Sequence, residues 1–392
     1  MPSRTTLIRT LAAVAAACSV VTLAGCGSGG QSGTGEIVIG AAGPLTGPQA
    51  ALAAVFDGMR AHFSEINDAG GINGAKIRFE VRDDQFNPAL TPAVTRELVE
   101  QQNVVMACGT TGSANNAAVK DYLEARKVPT VPTSGSSALL NSVTYQVISD
   151  YGPLGGRITA FGHDTLGSSR IGVLYGDDPT GTPVRDGALA QLRRSGIEPV
   201  AVEGFDPAAT TFTAQVAKLK AAGADFVVTN GAPALLAKLI NAAEQIGYQP
   251  RWGSTFASAN VALTGLVKAN LDDRVYFSTP FPLDGGPDAA AFRAAMQKYY
   301  PQANIADPLV MEGYVMAVGC GEAVKAAAQG GPVTREKLLS TMANLTIEND
   351  YVKDVRWTAT DHTGAKSAQV ITLRGGAFAS VADFAPLAAG GA

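Results

Sequence analysis

The sequence is short of charge. Only 16% of its 392 residues are Asp, Glu, Lys or Arg, against about 25% in a typical globular domain. The 30 basic and 34 acidic residues nearly cancel, for a net charge of −4, and there is no basic block. A protein that tracks nucleic-acid phosphates needs a positive face, so that class is excluded. Histidine is scarce, with His62, His163 and His362 scattered far apart and without partners at metal-ligand spacing. No G-x-S-x-G, H-E-x-x-H, Walker A or EF-hand signature is present. The serine-rich loops have no visibly placed base to activate a nucleophile, so neither catalysis nor a cofactor is expected. Past the first thirty residues no uninterrupted apolar run of about 18 residues occurs, which excludes a multi-span membrane protein. What is plentiful is apolar side chains, at 46%, and 44 glycines. That composition buries a core and excludes disorder. At about 100–200 residues per domain, the length suggests two domains.

The first 35 residues read as an address. Arg4 and Arg9 precede the soft apolar run LAAVAAACSVVTLAG, the pattern of a secretory signal. The run ends in Leu23-Ala24-Gly25-Cys26, which resembles the lipobox of bacterial lipoproteins, with Cys26 the lipidated residue of the mature chain. Residues 1–25 are then the signal peptide and 26–35 a flexible Gly/Ser tether. Loss of Arg4 and Arg9 leaves 28 basic against 34 acidic residues, a mature charge of −6. Of the four cysteines two remain, Cys108 and Cys320. In an oxidising compartment they are either a disulfide or two buried free thiols.

From residue 36 strands and helices alternate. EIVIG (36–40), KIRFEVRDD (76–84), VVMAC (104–108) and 128–132 read as strands, separated by helices over 52–67, 90–98 and 114–126. Gly70-Gly71 stops the first of these helices. The alternation restarts with 170–176, 198–204, 225–231 and 250–256, each expected to be followed by a helix. Two such series imply an α/β protein with two parallel central sheets covered by helices on both faces. The stretch 141–165 breaks the rhythm and marks the seam.

The run EIVIGAAGPLTGPQA…FDGMRAHFSEINDAGGINGAKIRFEVRDDQFNPA is similar to the opening of type I periplasmic binding proteins of the branched-chain amino acid (Leu/Ile/Val) transporter family. GTTGSANNAAV (109–119), VPTVPTSGSS (128–137) and LYGDDPTG (174–181) follow in the family's order, and the resemblance spans about 36–384. It implies two Rossmann-like lobes joined by three crossover segments. These are placed near 148–153, 278–285 and 355–360, with 36–149 plus 284–355 in the N-lobe and 153–279 plus 358–384 in the C-lobe. It also implies an extracytoplasmic, lipid-anchored, monomeric solute receptor of an ABC importer, working with a permease and its ATPase subunits. A lipoprotein that senses a ligand and signals through a membrane partner is the alternative.

Ligands of open α/β sheets sit beyond the carboxyl ends of strands, where helix N-termini present free N–H groups. Two such loops stand out, Thr110–Ser113 and Thr133–Ser136. Hydroxyls and amides there suit a carboxylate, although the same residues also serve as helix caps, the second for a helix at 138–142. In the resembled family these loops bind the solute, which makes Thr111, Ser113, Ser134, Gly135 and Ser136 candidates. The family's ammonium-binding acid is missing, because the corresponding loop reads Gly253-Ser254-Thr255-Phe256-Ala257-Ser258. Thr180 stands where the family has a tyrosine, and Leu52 where it has an aromatic. A buried ammonium without a partner is costly. Either Asp150 supplies the charge or the solute carries no ammonium, in which case Tyr151 and Phe256 face an amide or aromatic acid. Tyr151 and Phe256 can equally be hinge and core packing. Asp83 and Asp84 read as loop-orienting residues, and Asp177 and Asp178 are open between the two roles.

Overall fold

The computed structural model describes residues 35–206, 208–282 and 289–388; Cys26 and the signal segment lie outside them. The chain begins with β1 (Glu36–Gly43), α1 (Ala54–Asp68), β2 (Lys76–Asp83), α2 (Thr91–Glu100), β3 (Met106–Cys108), α3 (Ser113–Ala125) and β4 (Thr130–Val131). These strands form a four-stranded parallel sheet in the order β2-β1-β3-β4. Phe56, Met59 and Phe63 on α1 are buried at helical spacing. Gly70 and Gly71 follow α1 with φ of 106° and 78°, a left-handed turn that glycine adopts without a Cβ penalty.

The second series is α4 (Tyr151–Ala160), β5 (Ile171–Gly176), α5 (Gly181–Arg194), β6 (Ala201–Phe205), α6 (Thr213–Ala221), β7 (Phe226–Val228), α7 (Pro233–Gln245), β8 (Arg251–Thr255), α8 (Leu263–Leu266) and β9 (Val275–Thr279). Two expected helices come out shorter. The segment after β8 makes a 3-10 turn at Phe256–Ser258 and the single-turn α8, and 138–142 yields only a 3-10 turn at Ser137–Leu139. In both places serines and small residues bond locally instead of continuing a helix.

The rest of the chain consists of α9 (Ala290–Tyr299), α10 (Pro308–Ala328), α11 (Arg335–Met342), β10 (Asn344–Ile347), β11 (Val355–Thr358), β12 (Ser367–Arg374) and β13 (Ala377–Pro386). Helices α9 and α10 pack back on α1 of the first lobe. Strands β12 and β13 then join the second sheet, whose order is β13-β12-β9-β8-β7-β5-β6. The core of that sheet is parallel, and β12 and β13 extend it with an antiparallel edge that the strand–helix rhythm did not announce. The two lobes are therefore not consecutive in sequence.

Two devices hold α10 to the first lobe. A Cβ on Gly313 would lie 1.7 Å from the Val55 carbonyl oxygen, and one on Gly58 would lie 1.9 Å from that of Val310. Only glycine permits so close a crossing of α1 and α10. In addition, Cys108, at the end of β3, forms a disulfide with Cys320 of α10, with Cα atoms 6.6 Å apart across 212 residues of sequence. Both cysteines are buried. Among the described residues no helix is long and apolar enough to cross a membrane.

Candidate functional site

The carboxyl ends of β3, β4, β5, β7 and β8 all carry polar loops. Gly109 and Gly112, with φ of 95° and 89°, turn the chain from β3 into α3 and place Ser113 as its first residue. The Ser113 and Ser134 hydroxyls are 2.7 Å apart, and the Ser136 amide donates to Ser134 Oγ at 3.2 Å. The Ser136 hydroxyl is buried with no hydrogen-bond partner among the described residues. Thr111 is buried behind them, its amide donating to the Ala42 carbonyl and its hydroxyl to that of Gly109.

The second lobe meets this cluster directly. Thr180 Oγ1 lies 3.4 Å from Ser113 Oγ. The Thr180 and Gly181 amides each donate to Asp178 Oδ1 at 2.7 Å, which fixes Asp178 as the residue that ties down the start of α5. Asp177 instead lines an open surface depression with Tyr175, Phe205 and Asp206. Behind Thr180, Asn230 donates to its carbonyl at 3.4 Å and accepts from Thr255 Oγ1 at 2.6 Å and Ser254 Oγ at 3.3 Å. The acid-free loop after β8 is thus a neutral hydroxyl and amide wall.

The Tyr151 amide donates to the Gly135 carbonyl at 2.8 Å, and its hydroxyl sits beside Ser134. Its ring stacks on Phe256 at 5.9 Å, and Phe256 meets Phe281 edge-on at 5.4 Å. Burial, then the nearby Glu312 carboxyl, pushes the Tyr151 hydroxyl far above its ordinary pKa. Asp150 caps α4, accepting from the Gly152 amide at 2.8 Å, with Ser137 also beside it. Burial raises its pKa and these donors oppose the rise. Leu52, half-buried in the 3-10 turn Ala50–Ala53, is not tied to the cluster by any of these contacts. Asp83 accepts from the Leu45, Thr46 and Gln85 amides, while Asp84 holds Thr91 and Asn115; both shape the loops beside the site.

Sequence reading missed four neighbours: Asn230, Phe281, Asp307 and Glu312. Asp307 caps α10 through the Leu309 amide and accepts from Asn260 of the second lobe at 3.3 Å. Glu312, one turn on, is 6% exposed. Burial, together with the Asp307 charge, pushes its pKa up to about 8. A signal was present, because Glu312 is the single charge in an apolar helix between Asp307 and Glu322.

Among the described residues there is no group of His, Cys, Asp and Glu that could hold a metal ion. A family model described as periplasmic binding protein matches residues 36–377. An amino acid binding protein of Pseudomonas aeruginosa is 30% identical over 205 residues, 50% of this chain and 54% of that protein. The leucine-, isoleucine-, valine-, threonine- and alanine-binding protein of the same organism is 27% identical over 241 residues, 59% of this chain and 63% of that protein. The matched part thus spans less than two thirds of either relative. A fatty acid ABC transporter substrate-binding protein from Thermomonospora curvata has the same fold, with TM-score 0.78, 21% identity, and coverage of 90% of this chain and 92% of that one. With its two lobes and the family match over most of its length, the chain belongs to the periplasmic binding protein family.

Proposed function

We propose that the protein is the extracytoplasmic solute receptor of an ABC importer, capturing a small amino-acid-like, amide or aromatic-acid metabolite between its lobes. One observation carries this reading. The hydroxyl cluster Ser113–Ser134 of the first lobe reaches Thr180 of the second, beside the Tyr151–Phe256 stack. Hydroxyls, amides and two aromatic faces enclosed between two lobes suit a small solute with a polar head and an apolar body. Lobe motion then runs through the crossover segments near 148–153 and 355–360 and through a third near 278–285, of which 283–285 lie outside the described residues. Residues 146–149 bond to 362–365 through Gln146–His362, Ala365–Val147 and Ser149–Ala365, so the first crossing runs beside the segment that follows the third. Closure around the solute presents a matched pair of lobe surfaces to a permease.

The chain acts as a monomer held to the membrane by lipid on Cys26; Cys26→Ser would release it to the medium. Thermal unfolding of the mature protein with amino acids, amides, aromatic acids and short polyols tests the binding reading, since a ligand of the native state raises the melting temperature by mass action. A rise with one chemical class that Ser113→Ala removes is expected. A flat response to every class, or recovery of a chemically converted solute, would refute it.

A further inference from the structure

The loop that leaves β2 keeps a backbone conformation that side chains avoid. Gln85 and Phe86 are both left-handed, with φ of 54° and 58°. Among the described residues they are the one adjacent pair of non-glycine residues in that region. A bulky aromatic side chain is rare there, and such strain persists only where the surroundings over-determine it. Two aspartates do so here. Asp83 accepts from the Gln85 amide at 3.0 Å, and from the Leu45 and Thr46 amides in the loop after β1. Asp84, fully buried, accepts from the Phe86 amide at 2.9 Å, from the Thr91 hydroxyl and from the Asn115 side chain of α3.

The strained residue does not serve the core. Phe86 is half-buried and belongs to none of the hydrophobic clusters of either lobe. Its ring lies instead against Gly112, where a Cβ would stand 2.8 Å from the ring and 2.6 Å from Asn115 Oδ1. Gly112, with φ of 89°, is the last residue before α3 and the chain neighbour of Ser113. Its carbonyl accepts from the Asn116 amide at 3.0 Å and from the Asn116 side chain at 2.8 Å. The loop 109–113 is held at its entry by the Cys108 disulfide and in its middle by the bond from the Thr111 amide to Ala42. At its exit stands the Phe86 ring. We propose that Phe86 is a positioning residue for solute capture. Its ring clamps Gly112 and so fixes the direction in which Ser113 presents its hydroxyl to Ser134 and to Thr180 of the second lobe. The two aspartates hold the strained turn in place so that the ring reaches Gly112. The inference rests on the reading of this cleft as the solute site, and Phe86 acts there through Gly112. Without the ring the exit of the loop opens locally, and the solute meets a competent loop only a fraction of the time.

Four forms of the full mature chain test this: the wild type, Phe86→Ala, Phe86→Gly and Phe86→Tyr. Glycine removes the ring but accepts the left-handed backbone without strain, so it separates the ring from the fold of the turn. Hydrogen exchange at the Thr111 and Asn116 amides should quicken about tenfold in Phe86→Ala and in Phe86→Gly. The amides of β7 in the second lobe should be unchanged, and Phe86→Tyr should match the wild type throughout. Calorimetry with L-leucine, L-phenylalanine, benzoate and acetamide, with Ser113→Ala alongside, reads the consequence for binding. Any of these probes that binds the wild type should lose about tenfold in affinity in both ringless variants and regain it in Phe86→Tyr. Unchanged exchange at the two amides would overturn the clamp and leave the solute-receptor reading intact. So would faster exchange with affinity lost in Ser113→Ala alone, and so would wild-type exchange and affinity in Phe86→Gly. If no probe binds, or neither Ser113→Ala nor the ringless variants alter binding, the solute reading of this loop fails and the positioning role falls with it.

Discussion

Glu312 makes a prediction about the empty protein that needs no ligand. In the unfolded chain it titrates at the ordinary glutamate value of 4.5, and in the folded chain at about 8. Between those two pH values the folded protein keeps a proton that the unfolded chain has lost. Stability contributed at this site is therefore full below about 4.5, falls as pH rises through the window, and is flat again above about 8. The slope is about 1.4 kcal/mol per pH unit, which gives a growth of about 3.5 kcal/mol between pH 5 and pH 8. Glutamine copies the shape and neutrality of the protonated acid but cannot ionise. Urea unfolding of the two proteins at pH 5, 6, 7 and 8 should give curves that nearly coincide at pH 5, apart from a constant offset. They should then separate steadily in favour of Glu312→Gln. Asp150, also raised by burial, is common to both proteins and cancels in the difference, whereas the Asp307 charge acts on Glu312 and is part of the effect measured. Parallel profiles across the whole range would refute the reasoning, because they would mean that Glu312 ionises as freely folded as unfolded.

Three other outcomes are expected. Cys108→Ser with Cys320→Ser, or reduction, should lower stability by about 5 kcal/mol on chain-entropy grounds, since the bond closes a 212-residue separation; melting with and without reductant measures it. Gly313→Ala should destabilise by about 1–3 kcal/mol or more, because the added methyl falls on the Val55 carbonyl, whereas Gly265→Ala, with open space around it, serves as the control in the same denaturant series. Ser113→Ala and Ser136→Ala should weaken solute binding with little change in melting temperature, and unchanged affinity in both would remove those two loops from the site.

Most of the first lobe was legible in the sequence because its signals are local. Alternation in KIRFEVRDD and the spacing of Phe56, Met59 and Phe63 are set by strand and helix periods that neighbouring residues fulfil by themselves. The same logic found the strand-end serines, since a hydroxyl before a helix is a short-range pattern. It over-extended the helices after 137 and 258, where serine hydroxyls make local bonds, Ser134 accepting from the Ser136 amide and Ser254 pairing with Ser258. The antiparallel edge formed by β12 and β13 was not visible either, for its partner β9 lies about ninety residues earlier.

The sequence by itself determined the two α/β series, the polar loops at their strand ends, and the absence of an acid in the second-lobe loop. The family resemblance already assigned 284–355 to the first lobe, but only the tertiary structure shows what holds the late helices there, because α10 is tied to α1 and β3 by a glycine crossing and a disulfide that span over two hundred residues. Tertiary structure also decided the surroundings of each acid. Asp150 and Glu312 are both plain carboxylates in the sequence, but one caps α4 while the other lies on a buried stretch of α10, where desolvation raises its pKa. Desolvation and pairing depend on what the folded chain brings around a group, and no pattern of near neighbours specifies that.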